Sequence, residues 1–319
     1  MENKKHRDAP MVSIVITCYQ DEGNIPEMHR RLTKVLADVD LDYEIIFVND
    51  GSPDNSEAVL REIASRDKKV TVMLQARNFG AQNAFTAGME QALGKAVVIM
   101  DGDLQDPPEL IPEFVKKWRQ GYEVVYGKRR KREASLGKLK ELAYHLFYVT
   151  FNKLSYMRVP EDAGEFSLMD RRVVDAINGM PERDRLLRGL RAWVGFKQIG
   201  VEYTRPERFW GKSTNSLIAS TKWARKAIFS FSYAPMELVS RIAALTMLVA
   251  VGAIIFYIIL YFFKGAPQGF LTLLIITLFL GAIQLLSLAI IGEYLARVFE
   301  ETKQRPKYIT REILNNHHK

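Results

Sequence analysis

Three acids fall within six positions in the stretch VVIMDGDLQDPPEL, Val97 to Leu110: Asp101, Asp103 and Asp106. Two aspartates separated by one residue, on a turn tightened by Gly102, can present oxygen ligands to a hard divalent cation, and such a cation would also take a diphosphate. Alone, Asp-x-Asp is weak ground, because acids after strands also serve as turn formers and helix caps. Asp106, ahead of Pro107 and Pro108, is expected to cap the helix entering at Pro107. Further polar clusters are Tyr19 to Glu22, Asn49 to Ser52, and Arg77 to Gly80. The basic run KRRKR, Lys128 to Arg132, reads by itself as a solvated charge cluster or a nucleic-acid patch. The formal net charge of +8 calls for an anionic partner, which nucleic acid, lipid headgroups and phosphorylated substrates all satisfy.

Several chemistries are disfavoured. Cys18 is the sole cysteine, which excludes an intramolecular disulfide and a cysteine-cluster metal site. His6, His317 and His318 lie in terminal tails and His29 and His145 inside helical patterns, so the histidines do not converge. No G-x-x-x-x-G-K-[ST] run opens a helix after a strand, which argues against an ATP-driven pump.

The elements that must position these groups alternate. VSIVIT (13–17 region), YEIIFVN (43–49), VTVMLQ (70–75), AVVIM (96–100) and YEVVYG (122–127) read as strands, and helix-period segments lie near 24–38, 54–66, 80–92 and 109–120. Such alternation implies an α/β domain with a mostly parallel sheet covered on both faces. AVVIM lacks polar alternation, as a central strand would. In open α/β sheets ligands bind outside the carboxyl ends of the strands, and the polar clusters all fall there.

The chain changes character after residue 240. Ile242 to Phe263 and Phe270 to Ile291 are free of charge, and each would span about 30 Å as a helix, the hydrocarbon thickness of a bilayer. They are read as a transmembrane hairpin joined by KGAPQG, with a buried hairpin of a soluble domain as the alternative. Leu217 to Ala234 mixes aromatic residues with Lys222, Arg225 and Lys226, which suits a helix in the membrane interface or an ordinary surface helix. Basic residues precede and follow the hairpin while only Lys264 lies between its spans, so the positive-inside rule puts both termini in the cytoplasm. The polar start MENKKHRDAP has no apolar signal-peptide core.

Read together and in order, VSIVITCYQDEGNI, EIIFVNDGSPDNS, ARNFGAQNAFTAGMEQALG and DGDLQDPPEL resemble a family 2 glycosyltransferase with the Rossmann-like GT-A fold. The nearest likeness is to the polyprenyl-phosphate glycosyltransferases, including dolichyl-phosphate mannose synthase and the bactoprenol glucosyltransferases. EDAGEFSLMDRR, RGLRAWVGF and RPERFWGKS continue the match, which runs from about Met11 to Tyr308. The resemblance implies a polar tail over 1–10, a GT-A catalytic domain over 11–212, a juxtamembrane amphipathic helix over 213–240, two transmembrane helices within 241–292 and a cytoplasmic tail over 293–319. It makes Tyr19, Asp21 and Asp50, with Thr17, contacts to the nucleoside of a sugar nucleotide. It puts Asp101 and Asp103, flanking Gly102, at the diphosphate and its Mg²⁺ or Mn²⁺, and Gln105 near the sugar. Arg129, Arg132 and Arg208 would face phosphates. With a membrane anchor present, lipid phosphate is the partner of KRRKR and nucleic acid is not.

Three departures from the family pattern bear on chemistry. Thr17, Gln20 and Asp21 stand where the family commonly has Pro and Asn-Glu. Thr214 replaces a Lys in GKSTNS, leaving Lys212, beside Ser213, as the alternative phosphate contact. Glu165 stands where relatives often carry Asp, with Asp162 as the fallback carboxylate. A lipid phosphate has a second pKa of about 6 and is already a nucleophile at neutral pH, so Glu165 is expected to orient the acceptor or tune its protonation rather than act as an obligatory base. The expected reaction is inverting transfer of a sugar, best matched by glucose from UDP-glucose, to undecaprenyl phosphate at a bacterial inner membrane. The alternatives are a processive polysaccharide synthase, which should carry more spans and a Gln-x-x-Arg-Trp motif, and a non-catalytic nucleotide-sugar-binding membrane protein. A two-helix hairpin would also gain from self-association into a homo-oligomer.

Overall fold

A computed structural model of the protein describes residues 11–38, 41–130, 160, 163–210, 229, 232–264 and 269–317. Contacts divide the chain into two units, the first drawn from Met1–Tyr148, Met157–Leu217 and Arg305–Lys319, the second from Val149–Tyr156 and Ile218–Gln304.

The first unit follows the alternation of its sequence: β1 (Val12–Cys18), α1 (Ile25–Asp38), β2 (Tyr43–Asn49), α2 (Ser56–Arg66), β3 (Val70–Gln75), α3 (Ala81–Gln91), β4 (Ala96–Asp101), α4 (Ile111–Arg119) and β5 (Val124–Arg129). Then come β6 (Ala163–Asp170), α5 (Arg171–Asn178), α6 (Leu187–Trp193), β7 (Gln198–Tyr203) and, far along the chain, β8 (Thr310–Leu314). The eight strands form one sheet in the order β7-β5-β6-β4-β1-β2-β3-β8. β1 pairs in parallel with both β2 and β4, and only β6 and β8 run against their neighbours. The mostly parallel α/β sheet of the GT-A-like expectation is therefore present.

Burial explains the apolar runs. All seven residues of β1 are buried, because helices cover both faces. Ile14 and Ile16 join a core with Ile25, Met28, Leu32 and Leu36 of α1, while α3 packs on β1 and β2. The chain moves outward from β1 to β2 and β3, then crosses back to β4 on the other side of β1. That reversal opens a crevice at the carboxyl ends of β1 and β4.

The segment expected as a C-terminal tail is in part an edge strand. β8 pairs antiparallel with β3, Val72 opposite Leu314 and Leu74 opposite Glu312. Arg61 donates to Glu312 at 3.2 Å, and Asn315 Nδ2 donates to the carbonyls of Ala64 at 2.7 Å and Val70 at 2.9 Å. Pairing covers the otherwise open edge of β3.

In the second unit, α7 (Ala234–Lys264) and α8 (Phe270–Thr302) are long and apolar enough to cross a membrane, and none of the most apolar window of either is buried. Side chains such as Leu248, Ile255, Leu278 and Leu285 are exposed, unlike those of a hairpin inside a soluble core. Both helices outrun their charge-free segments, and pairs spaced by one turn accompany the charged ends: Glu237 with Arg241 at 3.1 Å and Glu293 with Arg297 at 3.6 Å. Residues 234–240, expected in a juxtamembrane helix, are the first turns of α7, and 213–228 lie outside the described residues.

Candidate active site

The crevice between β1 and β4 is a cavity of about 670 Å³. Its walls carry Thr17, Tyr19, Asp21, Asp50, Asp101, Gly102, Asp103, Gln105 and Arg208, all expected from the sequence. Asn78 and Gly80, from the rim cluster Arg77 to Gly80, line it too, and Asp54, Arg205 and Trp210 join them without having been singled out. Arg132, Lys212 and Ser213 lie outside the described residues, as does Asp162.

Hydrogen bonds from neighbouring loops fix the acids of the rim. The Asp21 carboxylate accepts from the Tyr19 amide at 3.1 Å and Asn24 Nδ2 at 2.8 Å, and burial raises its pKa above the usual carboxylate value. Asp50 accepts from the amides of Phe79 at 2.7 Å and Gly80 at 2.9 Å, so it clamps the loop before α3 as well as lining the cavity. Asp54 accepts from the Ser52 hydroxyl at 2.5 Å and the Glu22 amide at 3.1 Å, which ties the loops after β1 and β2 together. Gln20 and Leu104 both hold φ of 59°, a left-handed conformation that non-glycine residues adopt at a cost and that gathers at functional sites.

Asp101 and Asp103 differ in their surroundings. Asp103 accepts from the Gln105 amide at 3.1 Å and from Arg208 at 2.9 Å, with Arg205 at 3.9 Å. Asp101 accepts no hydrogen bond among the described residues; burial, then the charges of Asp106, Asp103 and Glu165, push its carboxyl up to about 8. Acids crowded so closely favour a proton or a cation. Among the described residues no cluster of three His, Cys, Asp or Glu could hold a metal by itself. Two carboxylates open to a cavity nevertheless fit Mg²⁺ or Mn²⁺, because Mg²⁺ is commonly held by one or two carboxylates with substrate phosphates and water completing its shell. Gly102 permits their spacing: a Cβ there would stand 2.7 Å from the Thr17 carbonyl, to which its amide donates at 3.0 Å.

Asp106 is not the expected helix cap. It is 1% exposed and accepts from the Tyr203 hydroxyl at 2.8 Å, while Pro107 precedes the short 3₁₀ turn at Pro108–Leu110 with no side-chain cap. Arg129 Nε reaches the same hydroxyl at 3.4 Å, so this guanidinium does not line the cavity. Its other side rests at β6, where a Cβ on Gly164 would meet Arg129 Nη2 at 2.7 Å.

Glu165 reaches the rim from the start of β6, because an antiparallel strand begins where its parallel neighbours end. It is 7% exposed and outside the cavity wall, though close enough for its charge to act on Asp101. Arg188 Nε donates to Glu165 Oε1 at 2.9 Å, and Oε2 is buried without a hydrogen-bond partner among the described residues. Arg191 donates to the carbonyls of Glu165 at 3.2 Å and Gly164 at 3.1 Å and lies over the Tyr126 ring. Burial pushes the Arg191 guanidinium down to about 10, so it remains charged at neutral pH.

Residues 13–177 match the model of Glycosyl transferase family 2. An uncharacterized glycosyltransferase of Synechocystis sp. is 39% identical over 303 residues, 95% of each chain. The bactoprenol glucosyl transferase of Shigella phage SfV is 36% identical over 302 residues, 93% of this chain and 97% of the phage protein. Among solved structures, the mannosyltransferase PcManGT of Pyrobaculum calidifontis, in complex with GDP-Man and Mn²⁺, aligns with a TM-score of 0.45 and 15% identity over 91% of this chain and 88% of that one.

Proposed function

The chain belongs to glycosyl transferase family 2, and from that premise we propose that it is a membrane-anchored, inverting transferase that moves glucose from UDP-glucose to a polyprenyl phosphate such as undecaprenyl phosphate. The observation that carries this reading is the likeness to a bactoprenol glucosyl transferase across nearly the whole of both chains, the two apolar helices included. A lipid-borne acceptor accounts for a soluble transferase unit continuous with helices long enough to anchor it, and for the excess of basic residues.

Each side chain has a task. Tyr19, Asp21 and Asp50 take the nucleoside, with Thr17 beside them, and Gln105 faces the sugar. Asp101 and Asp103 would hold Mg²⁺ or Mn²⁺, which when bound would supply positive charge at the nucleoside diphosphate. Arg208 and Arg205, already gathered at Asp103, face the same diphosphate. The acceptor phosphate, a dianion at neutral pH, attacks C1 of the sugar opposite the leaving group, and Glu165 orients it. Arg132, Lys212 and Ser213 are assigned to phosphate contacts, whereas Arg129 supports the Tyr203 hydroxyl that Asp106 holds. The soluble unit and both termini lie on the cytoplasmic side of the inner membrane.

Purified full chain incubated with labelled sugar nucleotides and undecaprenyl phosphate should give a single labelled lipid, best with UDP-glucose. EDTA should abolish the product and excess Mg²⁺ or Mn²⁺ restore it. Polymer in place of the lipid would favour a processive synthase, and no labelled lipid from any donor would overturn the assignment.

A further inference from the structure

Glu165 has one methylene more than an aspartate would, and with it one more rotatable bond before the carboxylate. A catalytic carboxylate loses much of its advantage when displaced by an ångström, so a longer side chain needs an anchor at its far end. α6 provides two guanidiniums one turn apart, Arg188 and Arg191, and both reach the same residue of β6. Their contacts are different in kind. Arg191, 2% exposed, donates to the strand's carbonyls at Gly164 and Glu165, and the Ser167 hydroxyl also donates to Glu165 O at 2.8 Å. Arg188 bonds the carboxylate itself, in a pair whose side chains are 19% and 7% exposed. The backbone of Glu165 is thus held by one arginine and its head group by the other.

We propose that Arg188 is a positioning residue for Glu165: its Nε holds Oε1 and so fixes the carboxylate at the rim, close enough to Asp101 for its charge to be felt there. The pair also settles an electrostatic conflict. A carboxylate beside an incoming phosphate dianion repels it, and a guanidinium bonded to that carboxylate cancels the repulsion while holding the geometry. Neither residue lines the donor cavity, so the effect falls on the chemical step and not on nucleotide binding.

The proposal rests on the role given to Glu165 in the proposed reaction, and a double-mutant cycle separates the two. Turnover at saturating donor, UDP affinity by titration calorimetry and thermal unfolding are measured on the full chain for wild type, Arg188→Gln, Arg188→Lys, Glu165→Ala and Glu165→Ala with Arg188→Gln. Arg188→Gln should lower kcat by about 10 to 100-fold with UDP affinity within about twofold of wild type, and Arg188→Lys should recover part of the loss. In the Glu165→Ala background the same Arg188→Gln change should cost less than about twofold, because its target is gone. A full additional loss in that background, or an Arg188→Gln enzyme as fast as wild type, would overturn the proposal. Should Arg188→Gln unfold, Arg188→Lys carries the cycle, since it keeps the charge but not the Nε geometry; its loss must likewise vanish in the Glu165→Ala background. Wild-type turnover retained by Glu165→Ala would instead remove the role of Glu165, and with it the reason for the anchor.

Discussion

At the residue scale the site depends on how closely two carboxylates can be set. Gly102 lies between Asp101 and Asp103 with its Cα against the end of β1, and the 2.7 Å separation that a Cβ would have from Thr17 O leaves no room for one. Gly102→Ala must push the turn away from β1 and carry both acids with it. Turnover should fall by about 100-fold or more, because misplacement of about an ångström has that consequence, while the thermal midpoint shifts by only a few degrees. Steady-state rates and a circular dichroism melt check this, and an alanine variant within twofold of wild type would contradict it. The sequence made this turn legible because acids and glycine follow a strand of unbroken apolar residues. Arg205 and Trp210 were less legible, since a loop of no regular period brings them to the cavity; the paired arginines of RPERFW were the available signal. Asp106 was misread because a proline pair after an acid resembles a capping sequence, whereas Tyr203, nearly a hundred positions away, takes the carboxylate.

At the element scale β1 to β5 could be read from periodicity, and β6, β7 and β8 could not. β1 to β5 alternate with α1 to α4 close to the segments expected, but β6 begins beyond a long stretch in which no strand was read, β7 was not read either, and β8 follows a basic, proline-containing connector. The placement of β6 and β8 is set by partners distant in sequence, β4 and β5 for the first and β3 for the second. The turn from β6 into α5 has its own local logic. Asp170 caps α5 by accepting from the Arg172 amide at 3.0 Å and also accepts from the Trp118 indole at 2.8 Å. Burial opposes ionisation, yet these bonds and the Arg172 guanidinium hold its carboxyl below the usual range. A carboxyl lowered in the folded state contributes stability above its unfolded pKa of about 3.9, and that contribution is lost as pH falls through the folded value. Asp170→Ala should therefore cost about 1 to 2 kcal/mol at pH 7, with the gap to wild type closing below about pH 4; Asp170→Asn should retain part of the cap. Urea melts at the two pH values test this, and an equal gap at both would refute the assignment.

At the scale of the whole molecule, charge counts that suggest an orientation must be sorted from charges the fold itself uses. Arg311 bonds Glu57 at 2.5 Å and Lys307 donates to the Met180 carbonyl at 3.1 Å, so both serve the sheet unit as well as the bias of charge after α8. Arg241 and Arg297 stand at the same end of the proposed hairpin, each beside a glutamate one turn away, and Lys264 is the lone basic residue between the spans. Acidic neighbours contribute little to the positive-inside bias, which counts lysine and arginine near the ends of the spans, so the asymmetry survives the sorting. The connector Lys264 to Gly269 should then face away from the cytoplasm and the chain's end toward it. The native Cys18 is fully buried, which leaves a quiet background for thiol labelling in intact spheroplasts. A membrane-impermeant maleimide should modify Gln268→Cys from outside and His317→Cys only after permeabilisation. The reverse pattern would place the transferase unit outside, away from a cytoplasmic nucleotide sugar, and modification of both from outside would mean that the two helices do not form a membrane hairpin.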